Sequence, residues 1–126
     1  MKAYTDLEQS KKLSEFLPLE TADMYWEYDF TEHECVIKVM DKHFDDTCIP
    51  AWSLSALLEL IPPYLGEFSE GIDFEFSKSM NGKWYSARYI QLNDDKAITF
   101  NKVVTGDTAV DAAFEMVVWL KENNKI

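Results

Sequence analysis

Four side chains in this sequence carry the donors that soft-metal binding and nucleophilic chemistry use: His33, Cys35, His43 and Cys48. A structural zinc site draws its ligands in pairs at short intervals, as in CxxC or HxxxH, so that one turn supplies two donors. Here the successive residues are separated by one, seven and four positions, which fits no such pattern. Two solvated histidines and two packed thiols are the expected roles, and neither a metal nor a cofactor is assigned. Asp41, Asp45 and Asp46 flank His43, but the run lacks the central glycine and terminal glutamate of a calcium loop. A solvated acidic loop is the expectation.

Nucleophilic and phosphate chemistry find no motif. There is no Gly-x-Ser-x-Gly elbow, and four glycines in all leave no phosphate-cradling loop. A Cys–His pair could still assemble from distant positions, because such sites are defined by geometry rather than order. An enzyme that binds a small molecule or metal through these four residues therefore stays as one alternative. No catalytic residue is assigned.

The remaining candidates are contact residues. Arg88 is the sole arginine, and the hairpin pattern described next sets it across from Glu75, with Asp73 nearby. A guanidinium facing carboxylates is a structural pair first and a grip for a carboxylate ligand second. Trp84 falls on the same polar face. Coverage by another element is expected there, with an exposed anchor of a binding patch as the alternative. Met116 and Trp119, in the last helix, complete the candidate interaction set of Glu75, Trp84, Arg88, Met116 and Trp119.

The elements that must position these residues are legible from periodicity. Ile72, Phe74 and Phe76 alternate with Asp73, Glu75 and Ser77, a strand with one dry face. Asn81-Gly82 suits a two-residue type I′ turn. Pairing outward from it sets Phe76 against Ala87, Phe74 against Tyr89 and Glu75 against Arg88. Every apolar residue then shares one face. Upstream, Thr5-Asp6-Leu7-Glu8 reads as a capping box, opening a helix that runs through Leu17 and stops at Pro18. Met24–Phe30 alternates Met24, Trp26, Tyr28 and Phe30 against Tyr25, Glu27 and Asp29, and Cys35–Met40 follows as a second strand. Ser53 opens a buried helix, Leu54–Ile61, which Pro62-Pro63 ends. Ala97–Val104 is the last strand, with Ile98, Phe100 and Val104 inward. Thr108 then caps a final helix in which only Asp111 and Glu115 are polar between Ala109 and Leu120.

That last helix is wet along a strip one residue wide, where an ordinary surface helix is polar over half its circumference. Either it is covered on two sides within the monomer, or Met116 and Trp119 meet a second copy. A homodimer is thus one expectation for partners. The element order is α-β-β-α-β-β-β-α. It predicts a single α+β domain over residues 1–126, with a mainly antiparallel sheet of about five strands and three helices.

Composition narrows the function classes. Of 126 residues, 47% are hydrophobic and 14% aromatic, with a net charge of −11, which argues for a folded domain rather than a disordered chain. Residues 1–77 hold 17 acids and 5 bases, whereas residues 78–102 hold 2 acids and 5 bases. Leu13–Ile37 and His43–Ser77 contain no lysine or arginine. Direct nucleic-acid binding and anionic membrane surfaces are disfavoured by that field. No apolar stretch reaches membrane-spanning length, and the polar start Met1–Asp6 lacks a signal-peptide core. A cytoplasmic location is the expectation.

Three stretches carry a resemblance: Tyr4–Leu13 running on to Leu17–Met24, Ile49–Leu58, and Ala109–Met116. They resemble a group of short proteins from gut anaerobes, their phages and mobile elements, to which no activity is assigned. Where those proteins often place cysteine after the proline, this chain has Ala51, and Ala113 likewise in the last helix. Any chemistry of those cysteines is absent here, and no functional residue carries over. The resemblance implies an accessory protein of phage or transposon origin. The expected function is accordingly a small accessory or protein-interaction domain without catalysis. An acidic nucleic-acid mimic that occupies a basic groove of a partner protein is the main alternative.

Overall fold

The computed structural model describes residues 2–126. Helix α1 (Leu7–Ser14) is followed by strands β1 (Met24–Asp29), β2 (Glu34–Val39) and β3 (Ile49–Ala51). Then come α2 (Leu54–Leu60), β4 (Tyr64–Leu65), β5 (Ile72–Lys78), β6 (Tyr85–Leu92), β7 (Ile98–Gly106) and α3 (Ala109–Glu122). The class is α+β with three helices. Instead of one five-stranded sheet, the strands form two antiparallel sheets, ordered β2-β1-β3 and β4-β5-β6-β7. The two strands absent from the sequence reading, β3 and β4, are three and two residues long. That is too short to display a period of two, and Pro50 is tolerated in β3 because it lies on a sheet edge.

The hairpin register holds: Phe76 pairs with Ala87, Phe74 with Tyr89 and Glu75 with Arg88. The turn differs. Only Gly82 adopts positive φ (73°) and Asn81 does not, so the connection is not type I′. The Ser79 amide donates to the Trp84 carbonyl (2.8 Å) and the Gly82 amide to the Ser79 carbonyl (2.9 Å), closing a four-residue loop, Met80–Lys83. Its midpoint is the same as that of the two-residue turn, so the register is unchanged.

The first helix is capped by Asp6 and Gln9 rather than Thr5 and Glu8, and it ends at Ser14 rather than Leu17. Thr5 is withdrawn from capping because it is fully buried. Its hydroxyl lies 2.7 Å from the Ser10 hydroxyl and accepts the Trp52 amide at 3.1 Å. Its amide donates to the Trp52 carbonyl (2.9 Å), and the Leu54 amide donates to the Ala3 carbonyl (3.2 Å). The N-terminal segment is thereby stitched to the entrance of α2, where Ser53 caps the helix by accepting the Ala56 amide.

α3 packs against β6 and β7 and also against α2. Val110, Ala113, Phe114, Met116, Val117 and Leu120 meet Ala87 and Tyr89 of the sheet, together with Trp52, Leu57 and Ile61. Coverage on two sides within the monomer therefore accounts for the narrow wet strip. Met116 is fully buried there, which corrects its reading as an outward contact. β1 also departs from its expected faces. Tyr25, placed on the wet side, is fully buried, whereas Phe30, placed on the dry side, is 81% exposed. The cause is the Asp41–Cys48 segment, which folds over Tyr25: Phe44 packs edge-on against its ring at 5.6 Å, and the phenol donates to Asp41 at 2.8 Å. In β7, Phe100 and Val104 pack on the core as expected. Ile98 is exposed instead, next to a register shift at Gln91/Leu92.

Candidate functional site

The four-stranded sheet has one covered and one open face. Phe74, Phe76, Tyr89 and Val104 point to the helices, and the alternate residues point away from them. On the open face the registers align Glu75, Arg88 and Val103 in one row, and Ser77, Ser86 and Thr105 in the next. The Arg88 guanidinium grips one oxygen of Glu75 with Nε at 2.8 Å and Nη2 at 2.6 Å. Asp73 lies across from Ile90, not Arg88, and takes no part in that pair. The Ser77 and Ser86 hydroxyls meet at 2.9 Å. Both charged partners are solvent-exposed in large part, so the pair orients side chains more than it stabilises the fold.

Trp84 continues this face beyond the start of β6 and is 44% exposed, so the expected cover is missing and the indole is presented to solvent. It stands between two shallow hollows. One is lined by Ser77, Met80 and Asn81, the other by Thr105, Asp107, Asp111 and Glu115. Trp119 lies on the opposite, inner face. It is half-buried, its ring 6.3 Å from that of Tyr89, with the Lys102 ammonium 5.5 Å away over the indole. The structure thus brings Glu75, Trp84 and Arg88 onto one surface and separates Met116 and Trp119 from it. Val103, 41% exposed in the same row, was not singled out from sequence. Its signal was the alternation of β7 itself.

Asp111 is a second feature that spacing along the chain could not reveal. Lys2 (2.7 Å), Gln9 (2.8 Å) and Thr108 (2.8 Å) all donate to its carboxylate, and Lys2 also reaches Asp6 at 3.0 Å. Burial by itself would raise the Asp111 pKa, but the three donors outweigh it and hold the carboxyl below its usual range. Its role is to fasten the N-terminal segment and α1 to the start of α3.

The Cys and His candidates divide. His43 and Cys48 reach one open cleft of about 600 Å³, with Glu27, Lys38 and Asp45. Cys35 is exposed on β2, and His33 sits in the β1–β2 turn at φ 56°, both outside that lining. Within the cleft the Cys48 thiol donates to Asp45 at 3.6 Å. Asp45 is already occupied by the Thr47 hydroxyl and amide, which hold its pKa down. Asp41 is likewise lowered, by the Tyr25 hydroxyl and then the His43 amide. Asp41 and Asp45 therefore serve the folding of this loop. Among the described residues, no three His, Cys, Asp or Glu side chains converge as a metal site requires, and no helix is long and apolar enough to cross a membrane.

Comparison of the chain with protein-family models, curated proteins and solved structures returned no match.

Proposed function

We propose that this chain is a protein-contact domain that works through the open side of its four-stranded sheet, without chemistry of its own. The observation that carries the reading is the exposed Trp84 on a sheet face that no helix covers, in line with the preset Arg88–Glu75 pair. Tryptophan and arginine are enriched among the side chains that dominate protein interfaces; the indole buries a large area at small entropic cost, and the pair with Glu75 already orients Arg88. Affinity capture from the native host tests it. The wild-type chain retains a partner, and the double variant W84A/R88A loses it while keeping its circular-dichroism spectrum. Equal capture by both would contradict the reading.

A second reading, the acidic mimic of a nucleic acid, draws on one further observation. Ion pairs among the described residues engage only Asp6, Glu27, Glu75 and Asp111 of the chain's 23 acids. The rest leave a negative field suited to a basic groove, and the resemblance to mobile-element proteins fits such a role. Capture that fades between low and high salt, and that survives W84A/R88A, supports this reading over the first.

A further inference from the structure

β7 ends the four-stranded sheet, and no strand among the described residues pairs with its outer edge. At nine residues it is the longest strand of the fold. The opposite edge is β4, only two residues long, followed by the Glu75–Lys78 part of β5 that β4 does not reach. Natural sheets blunt long edges with proline, outward charge or covering segments. β7 has no proline, and its outward side chains (Thr99, Asn101, Val103 and Thr105) are uncharged and exposed. Its one charge, Lys102, turns to the inner face over Trp119. Alternate amides and carbonyls along this edge point away from β6 and are free to bond another strand.

We infer that the occupant of this edge is β7 of a second copy of the chain, paired antiparallel about a two-fold axis through Val103. This rests on the contact-domain reading above and names one of its partners. Three observations select it. The first is register. For a two-fold perpendicular to the sheet, residues of the same face must oppose one another. Centring on Val103 sets Val103 against its copy, Asn101 against Thr105 and Lys102 against Val104, so like charges are nowhere opposite. Centring one residue earlier would oppose the two Lys102 ammoniums. The second is charge. Two chains of net −11 repel, and β7, with Lys102 as its one charged residue, brings no acid against its copy. The third is closure. An isologous pairing uses the longest edge of both copies at once and so closes on itself, leaving at its ends the two-residue β4 and the short stretch of β5 beyond it. The row Glu75–Arg88–Val103 then continues across the axis into its own copy, joining the two open faces into one surface.

Sedimentation and site-directed cross-linking test this together. At high micromolar concentration the wild-type chain sediments at twice its 14.7 kDa mass. V103K places two ammoniums on the axis and returns the particle to a single mass, with an unchanged circular-dichroism spectrum. In a C35S background, V103C cross-links under mild oxidation, since opposed residues of paired strands lie within disulfide reach. N101C does not, because its copy lies four residues along the strand. A wild-type monomer across the concentration range, or a dimer unaffected by V103K, would overturn the pairing. Partner capture lost in W84A/R88A would still stand in that event, so failure of the pairing is distinguishable from failure of the contact-domain reading.

Discussion

The two sheets of this domain are held by different means. The four-stranded sheet is sealed by apolar burial: α3 lays Met116, Val117 and Leu120 over Ala87 and Tyr89, and few polar bonds cross that interface. The three-stranded sheet and the N-terminal segment are fastened by buried or half-buried polar contacts, namely Thr5 with Ser10 and Trp52, Tyr25 with Asp41, and Lys2 and Gln9 with Asp111. Apolar packing tolerates a range of registers and conditions, whereas a polar clamp fails as soon as one partner is missing or protonated. This leaves the sheet with the robust core free to present its other face.

If that contrast is right, the largest loss follows Met116→Ala. A buried methionine truncated to alanine costs about 2–5 kcal/mol, read as a lower urea midpoint with an unchanged slope. A cost under about 1 kcal/mol would mean that α3 is not sealed within the monomer. Thr5→Val comes next. It leaves the buried Trp52 amide without its acceptor, worth about 1–3 kcal/mol, and the loss should be accompanied by faster hydrogen exchange at Trp52 and Leu54. W84A and R88A are the smallest, each within about 0.5 kcal/mol of wild type, because the open face adds little to stability.

The pH profile sharpens the same comparison. Asp6, Asp41, Asp45 and Asp111 all have folded-state pKa values below the ordinary carboxylate value. Between the lowered and ordinary values the unfolded chain binds more protons, so stability is full above about pH 4 and falls as these groups protonate. D111N, which titrates nowhere in this range, flattens that acid limb in a denaturation series. At the alkaline end, burial and then the Asp41 hydrogen bond push the Tyr25 phenol up to about 12, burial raises Tyr89, and Lys2 is also raised. A raised folded value gives stability that is present below the unfolded pKa, about 10, and lost as pH climbs through the folded one. Y25F shifts that alkaline loss and leaves the acid limb of Asp111 in place.

The sequence disclosed the two regions unequally, for the same physical reason. Phe74, Phe76, Ala87 and Tyr89 are apolar residues at period two, and the register drawn outward from Asn81-Gly82 put all of them on one face. The apolar run of α3 likewise announced burial on more than one side. Tyr25 defeated the pattern because its ring is buried while its hydroxyl keeps a polar partner sixteen residues away, which no local period encodes. Thr5 looked like a helix cap because its best partner, the amide of Trp52, is 47 residues distant. Of the candidate contact surface, the Glu75–Arg88 pair was legible. Exposure of Trp84 was not, since an apolar ring on the polar face is equally compatible with cover by another element.

The central claim is that contact runs through the open side of the β5–β7 region and not through the His43–Cys48 cleft. Hydrogen exchange of the chain, free and in the complex it forms in host lysate, tests this most directly. The account predicts slowed exchange from Trp84 through Thr105, with amides 41–48 unchanged. Protection centred on residues 41–48, with β6 and β7 exchanging as in the free chain, would contradict it.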